Sequence, residues 1–158
     1  MRALYAIAFA VVLLPVSAQA EQAGPAARVP FDDCTLTHHL TSVYSLAGLP
    51  DAVRNDLGAR VGQLADRGQP YQSSDGIVLN GPPTQRFIRA VKSDHNLFVW
   101  YEQGGMAVRV RLVVYDVDAA GAGPGAAPRF EANFATFDLC RATDAYLDGM
   151  SPAGSSEH

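Results

Sequence analysis

The residues best suited to chemistry in this chain are arginines spaced beside aromatic rings. Trp100, the single tryptophan, lies between Arg89 and the pair Arg109 and Arg111, with Phe98 and Glu102 two residues to either side. A guanidinium stacks on an aromatic face and grips a carboxylate or phosphate through two parallel hydrogen bonds. A sugar ring stacks on an indole in the same way. Residues 86–117 have the two-residue period of β-strands, with turn chemistry at Ser93-Asp94-His95-Asn96 and Gly104-Gly105. Two hairpins drawn on those turns put Arg89, Trp100 and Arg109 in one cross-strand row. Val91, Phe98 and Arg111 make the next row, and Phe87, Glu102 and Ala107 a third. The face carrying Arg89, Phe98, Trp100, Glu102, Arg109 and Arg111 is the candidate binding surface, suited to an anionic or saccharide small molecule or to an envelope protein. Two plainer arrangements use the same residues. Arginine stems cover Trp100 and Phe98 on a solvated face while Glu102 pairs with an arginine, or the first helix or residues 69–85 cover the face and bury Arg89 and Arg109 as ion-pair partners.

Other constellations are sparse. His38 and His39 are adjacent, so on a helix they point about 100° apart and do not chelate one metal as an i, i+4 pair would. His95 sits in a turn and His158 ends the chain. No HExxH, GxSxG, GxGxxG or P-loop pattern occurs. Asp32 and Asp33 read as helix caps, and a glycosidase pair such as Glu102 with Asp116 is a matter of spatial separation. No catalytic residue, cofactor or metal ligand is assigned on this basis. The leading expectation is a non-enzymatic binding protein. Its rivals are a small hydrolase using a cleft carboxylate with His38, His39 or His95, and a structural or accessory envelope subunit with a docking patch.

The elements that must position these residues follow from periodicity. Leu36, Leu40, Val43, Tyr44 and Ala47 recur at helical spacing, predicting a first helix over Thr35 to Ala47. Val53, Leu57, Val61 and Leu64 form the stripe of a second helix that begins at Pro50 and Asp51 and ends at Gly68. Residues 69–85 are turn-rich, with at most one short strand at Ile77-Val78-Leu79. The hairpin register pairs Lys92 with Leu97, Ala90 with Val99 and Ile88 with Tyr101, then Tyr101 with Val108, Val99 with Val110 and Leu97 with Leu112. One core face therefore carries Ile88, Ala90, Leu97, Val99, Tyr101, Val108, Val110, Leu112 and Val114. Asp118 to Pro128 reads as a mobile loop, Arg129 to Thr136 as a strand, and Ala142 to Leu147 as a helical turn. The expected fold is α+β, with two N-terminal helices on a three- to four-stranded antiparallel meander and one disulfide.

Residues 1–20 set the destination. Arg2, an apolar run from Ala3 to Val16, and Ser17-Ala18-Gln19-Ala20 have the layout of a secretory signal. The run is short of the roughly 20 apolar residues needed to span a bilayer, and Val29 to Asp33 before Cys34 lacks the small, apolar context of a lipoprotein site. Residues 21–30 are expected as a flexible leader, 31–150 as one domain and 151–158 as a disordered tail, in a soluble periplasmic or secreted protein without a membrane span. The chain has a formal charge of −4 and eleven arginines against one lysine. Loss of Arg2 makes it more acidic, which speaks against nucleic acid as a partner. No Asn-x-Ser/Thr acceptor occurs. Cys34 and Cys140 are the only cysteines and in an exported protein read as a disulfide. The chain-entropy model credits a closed loop of about 100 residues with roughly 4.7 kcal/mol. N-terminal sequencing of the protein recovered outside the cytoplasm is expected to begin at Glu21; an intact Met1 there rules the cleavage out.

Overall fold

The computed structural model describes residues 34–74, 76, 80–106, 108–117, 126–134 and 138–150, and the backbone of 155–157. The signal segment, the leader, residues 77–79 and residues 118–125 of the expected loop lie outside the described residues. In chain order the elements are β1 (Thr41–Val43), α1 (Asp51–Val61), β2 (Leu64–Ala65), β3 (Gln85–Lys92), β4 (Asn96–Gln103), β5 (Arg109–Asp116), β6 (Pro128–Phe134), α2 (Leu139–Leu147) and β7 (Ser155–Glu157). One sheet has the order β1-β3-β4-β5-β6-β7, and β2 pairs parallel with β3 alongside β1.

Two N-terminal helices on a short meander are therefore not what forms. The sheet has seven strands among the described residues, and the two helices lie mid-chain and late, packed on opposite faces. Thr35 to Ala47 forms no α-helix; Thr41–Val43 is a strand and only Leu46–Gly48 makes a single 3-10 turn, while Cys34, Leu36, His38 and Leu40 are half-buried and Thr35, Thr37, His39 and Thr41 are exposed. That alternation of two is the mark of extended chain. Its β-branched residues favour a strand, and Thr41–Val43 completes part of the outer edge of β3. The second helix forms but stops early. Gly62 adopts φ 75° and its N–H caps the carbonyl of Gly58, a left-handed stop that glycine adopts without the Cβ penalty. Leu64 leaves the helical stripe and enters β2. Ser155–Glu157 pairs antiparallel with β6.

Register decides which face each side chain takes. The first hairpin pairs Lys92 with Leu97, Ala90 with Val99 and Arg89 with Trp100, as expected, then slips at a bulge so that Phe87, not Ile88, opposes Tyr101. Arg67 Nη1 donates to the carbonyl of Ile88 in that bulge at 3.1 Å. The second hairpin is offset by three residues from expectation: Tyr101 opposes Arg111, Val99 opposes Val113 and Leu97 opposes Tyr115. Residues 104–108 form its connection in place of a two-residue turn. An odd offset exchanges the faces. Val110, Leu112 and Val114 join Trp100 and Phe98, whereas Arg109 and Arg111 join Tyr101.

Both faces are covered. On one, Val53 and Leu57 of α1 pack with Phe87, Ala90, Val99, Tyr101, Val113 and Tyr115. On the other, Leu139, Cys140 and Ala142 of α2, with the flanking Cys34, Leu36 and Leu40, cover Ile88, Phe98, Trp100, Leu112 and Phe130. Asp138 starts α2 by accepting the N–H of Arg141 at 2.9 Å. Cys34 and Cys140 are bonded, Sγ to Sγ 2.05 Å. The same segment is also held to α2 at Asp144, which accepts the N–H of Thr37 at 3.0 Å and faces His38 Nδ1 at 3.0 Å.

The longer second hairpin loop fits because its first residue lacks a side chain. A Cβ on Gly104 would lie 2.0 Å from the carbonyl oxygen of Gln72 and 2.9 Å from Ser73 Cα. Gly104 also donates to the Thr84 carbonyl at 2.8 Å. Gly104→Ala should lower stability by about 1–3 kcal/mol through backbone displacement, read as a drop in the urea midpoint at constant slope. An unchanged midpoint would mean that the 72–73 segment yields without cost.

Candidate functional site

The arginines of β5 meet the second helix on the Tyr101 face. Arg111 alternates with the buried Val110 and Leu112 and so turns toward α1, where Arg60 lies one helical turn after Asp56. Glu131 of β6 stands between the two arginines, 3.3 Å from Arg60 Nη1 and 3.3 Å from Arg111 Nη1. Arg60 Nε also lies 3.1 Å from Asp56, and Asp56 accepts the hydroxyl of Tyr115 at 2.8 Å. A continuous polar chain thus runs from Tyr115 through Asp56, Arg60 and Glu131 to Arg111.

Arg111 ends that chain on a neutral partner. Its Nε and Nη2, the edge that grips a carboxylate with two bonds, both donate to Gln103 Oε1, at 3.3 and 3.1 Å. These residues surround a pocket of about 230 Å³ whose apolar wall includes Leu57, Val61 and Val113, and Gln85 and Tyr101 also line it. Burial, then the Glu131 carboxylate, pushes the Tyr101 phenol up to about 12, against the opposing influence of Arg111 and Arg60. Tyr101 therefore enters the pocket as a protonated, hydrogen-bonding hydroxyl at any physiological pH. The pocket offers two guanidiniums, the Glu131 carboxylate between them, two carboxamides and a phenol over an apolar wall.

The six residues expected on one binding face are divided. Trp100, Phe98 and Glu102 have no exposed surface and Arg89 is 6% exposed, because α2 and residues 34–40 cover that side. Of the arrangements weighed from sequence, coverage of this face is the one that forms for Arg89, the cover being α2 and residues 34–40 of the expected first-helix span, with Tyr71 of residues 69–85 over Arg86 and against Glu102. The Arg89 guanidinium lies 4.3 Å from the Trp100 ring centre, and Nη2 donates to Cys140 Sγ at 3.2 Å. Phe98 meets Tyr146 of α2 edge-on, with ring centres 5.5 Å apart. Glu102 pairs with Arg86 inside the fold, and Arg86 in turn lies over the Tyr71 ring at 4.2 Å. Burial first, and the Glu102 charge second, push the Tyr71 phenol up to about 12. Arg109 is exposed near the start of β5, and Arg111 alone of the six lines the pocket. Gln85, Tyr101, Gln103, Arg60 and Glu131 were not singled out from sequence. The i, i+4 spacing of Asp56 and Arg60 was the one local signal, and nothing local joins α1 to β6.

The adjacent His38 and His39 and the sequence-distant His95 line one open cleft of about 1100 Å³ together with Lys92 and Asp94. His38 faces carboxylates from both ring nitrogens, Nδ1 to Asp144 at 3.0 Å and Nε2 to Asp148 at 3.5 Å. Burial raises the Asp144 carboxyl, but hydrogen bonds from His38 and Thr37 outweigh it and hold the group below the usual range. No group of three or more His, Cys, Asp or Glu among the described residues is arranged to hold a metal ion.

Tyr71, Tyr101 and Tyr115 all have raised phenols, burial being the largest cause in each and Asp56 adding to it for Tyr115. Each native phenol keeps a proton that the unfolded chain releases near pH 10. Their contribution to stability is therefore complete below about pH 10 and is lost as pH rises through the native values. Phenolate absorbance should show late titration of Tyr71, Tyr101 and Tyr115 whose amplitude falls by one group in Tyr101→Phe, and the urea midpoint should fall above about pH 10. Tyrosines that all titrate together near pH 10 would contradict this.

Comparison of the chain with protein-family models, with curated proteins and with solved structures gave no match.

Proposed function

We propose that this chain is an exported, non-enzymatic binding protein that takes a small carboxylate-bearing ligand, an acidic saccharide, in the pocket between Arg111 and Arg60. One observation carries the reading: the two-bond edge of Arg111 is met by a neutral carboxamide, Gln103. Exchanging that amide oxygen for a carboxylate gives the guanidinium an anionic partner that can take its two parallel bonds on two oxygens. Gln85, Gln103 and the Tyr101 hydroxyl are suited to sugar hydroxyls, and the Leu57 and Val61 wall suits the apolar face of a ring. Glu131 remains shared with Arg60 and keeps both guanidiniums in place. Export is supported by the signal-like residues 1–20 and by the Cys34–Cys140 bridge. No helix among the described residues is long and apolar enough to cross a membrane.

The rival hydrolase reading gains a cleft in which His38, His39 and His95 meet Asp94. The hydrogen bonding of His38 weighs against it, since both ring nitrogens face carboxylates and neither is directed at a substrate proton. Binding is favoured over catalysis on that ground.

A thermal-shift titration of residues 21–158 with oligogalacturonate, beside a neutral oligosaccharide of equal length, tests the proposal. At about 100 times its Kd the acidic ligand should add about 2.7 kcal/mol, several degrees in Tm. Arg111→Ala and Arg111→Lys should both abolish the shift, the latter because a point charge does not reproduce the two-bond edge. A shift that survives in both variants, or none with the native chain, overturns the proposal.

A further inference from the structure

Burial and charge are distributed unequally over the two sulfurs of the disulfide. Cys140 is 2% exposed and is the second residue of α2, whereas Cys34 is half-buried in the extended segment that lies over the sheet. Arg89, itself 6% exposed and stacked on Trp100, directs Nη2 at Cys140 Sγ from 3.2 Å. Sulfur in a disulfide is a neutral, weak acceptor for the Arg89 Nη2 donor. A thiolate at the same position would match it, because a cation and the amino end of a helix both favour the ionised sulfur. Asp138 at the start of α2 has the opposite sign, but it is exposed and spends its carboxylate on the Arg141 N–H.

We propose that the Cys34–Cys140 bridge is a thiol-exchange site, with Cys34 as the sulfur attacked and Cys140 as the leaving thiolate held by Arg89. The co-reactant is an external low-molecular-weight thiol. Its thiolate forms a new S–S bond to Cys34 Sγ as the Cys34–Cys140 bond breaks, and the electron pair of that bond leaves on Cys140. The external thiol is thereby oxidised to a mixed disulfide on Cys34, and Cys140 is reduced. Such exchange is faster when the attacked sulfur is accessible and the leaving sulfur is stabilised as a thiolate; Cys34 is the more exposed of the two cysteines and Cys140 the one beside a guanidinium. A second thiol resolves the mixed disulfide, leaving Cys34 reduced and residues 34–40 held to α2 by the Thr37 and His38 contacts to Asp144. The exchange site lies on the sheet face opposite the Arg111 pocket and does not depend on it.

Glutathione is the probe. Oxidised residues 21–158 are incubated with excess reduced glutathione in native buffer, quenched with acid and mapped by peptide mass. Glutathione should reside on Cys34 at least tenfold more often than on Cys140. Arg89→Met should slow formation of the adduct about tenfold or more, and Arg89→Lys should restore much of the rate by returning the charge, a recovery that lost packing alone would not give. Equal labelling of the two cysteines, labelling of Cys140, or an adduct rate equal to the global unfolding rate overturns the proposal. Where Arg89→Met does not fold, the position of the adduct in the native chain decides the question by itself.

Discussion

The whole structure depends on a sheet whose central strands are apolar on both sides. In β4, Phe98 and Trp100 point one way and Leu97, Val99 and Tyr101 the other, and each is at most 2% exposed. Fully burying one such side chain contributes about 1.5–3 kcal/mol, so neither face tolerates water. Two covers are needed, and the chain supplies them from different places. α1 comes from between two short edge strands, while α2 comes from the far end and is linked by a disulfide to the segment that starts the described chain.

That double coverage determines how the charged groups behave. Arg86, Arg89 and Glu102 alternate with apolar residues in β3 and β4, so covering the sheet buries them too. Glu102 meets Arg86, and Arg89 stacks on Trp100 and reaches the Cys140 sulfur. Removing one member of a buried pair leaves the other uncompensated, at a cost of about 3–5 kcal/mol. On the α1 side the corresponding groups lie at the rim. Arg60, Arg111 and Glu131 keep 35%, 22% and 18% of their side-chain surface, and their bonds are open to exchange with a solute.

The two faces consequently offer different chemistry. The α1 face presents guanidiniums whose partners are Asp56, the shared Glu131 and the Gln103 amide. The α2 face encloses its guanidinium against sulfur and indole, an arrangement suited to stabilising charge that develops on sulfur. Both follow from arginine at alternate strand positions, and they differ because one set meets the end of a helix and the other the middle of a covered face.

Sequence alone determined the central strands, the start of α1 and the covalent link, but not the structure of residues 35–47. Ser, Asp and Asn turn chemistry located the 93–96 turn, alternation located the strands, and two cysteines in a chain with a signal-like start implied the bridge. The near-continuous apolar text of β3, β4 and β5 also carried the sign of a sheet covered on both faces, and the alternation from Cys34 to Leu40 that of extended chain, though Leu36, Leu40 and Val43 fit a helical stripe as well. Gly62, a local stop, lay inside a stripe that continued to Leu64. The register of β4 on β5 was beyond local reading: a two-residue turn at Gly104-Gly105 and a five-residue connection are both compatible with the text, and they differ by an odd offset. Only tertiary packing selected the latter, because it places Val110, Leu112 and Val114 beneath α2 and lets Gly104 sit against Gln72. The same selection moved Arg111 to the far face, where residues from α1 and β6, distant in sequence, complete its surroundings.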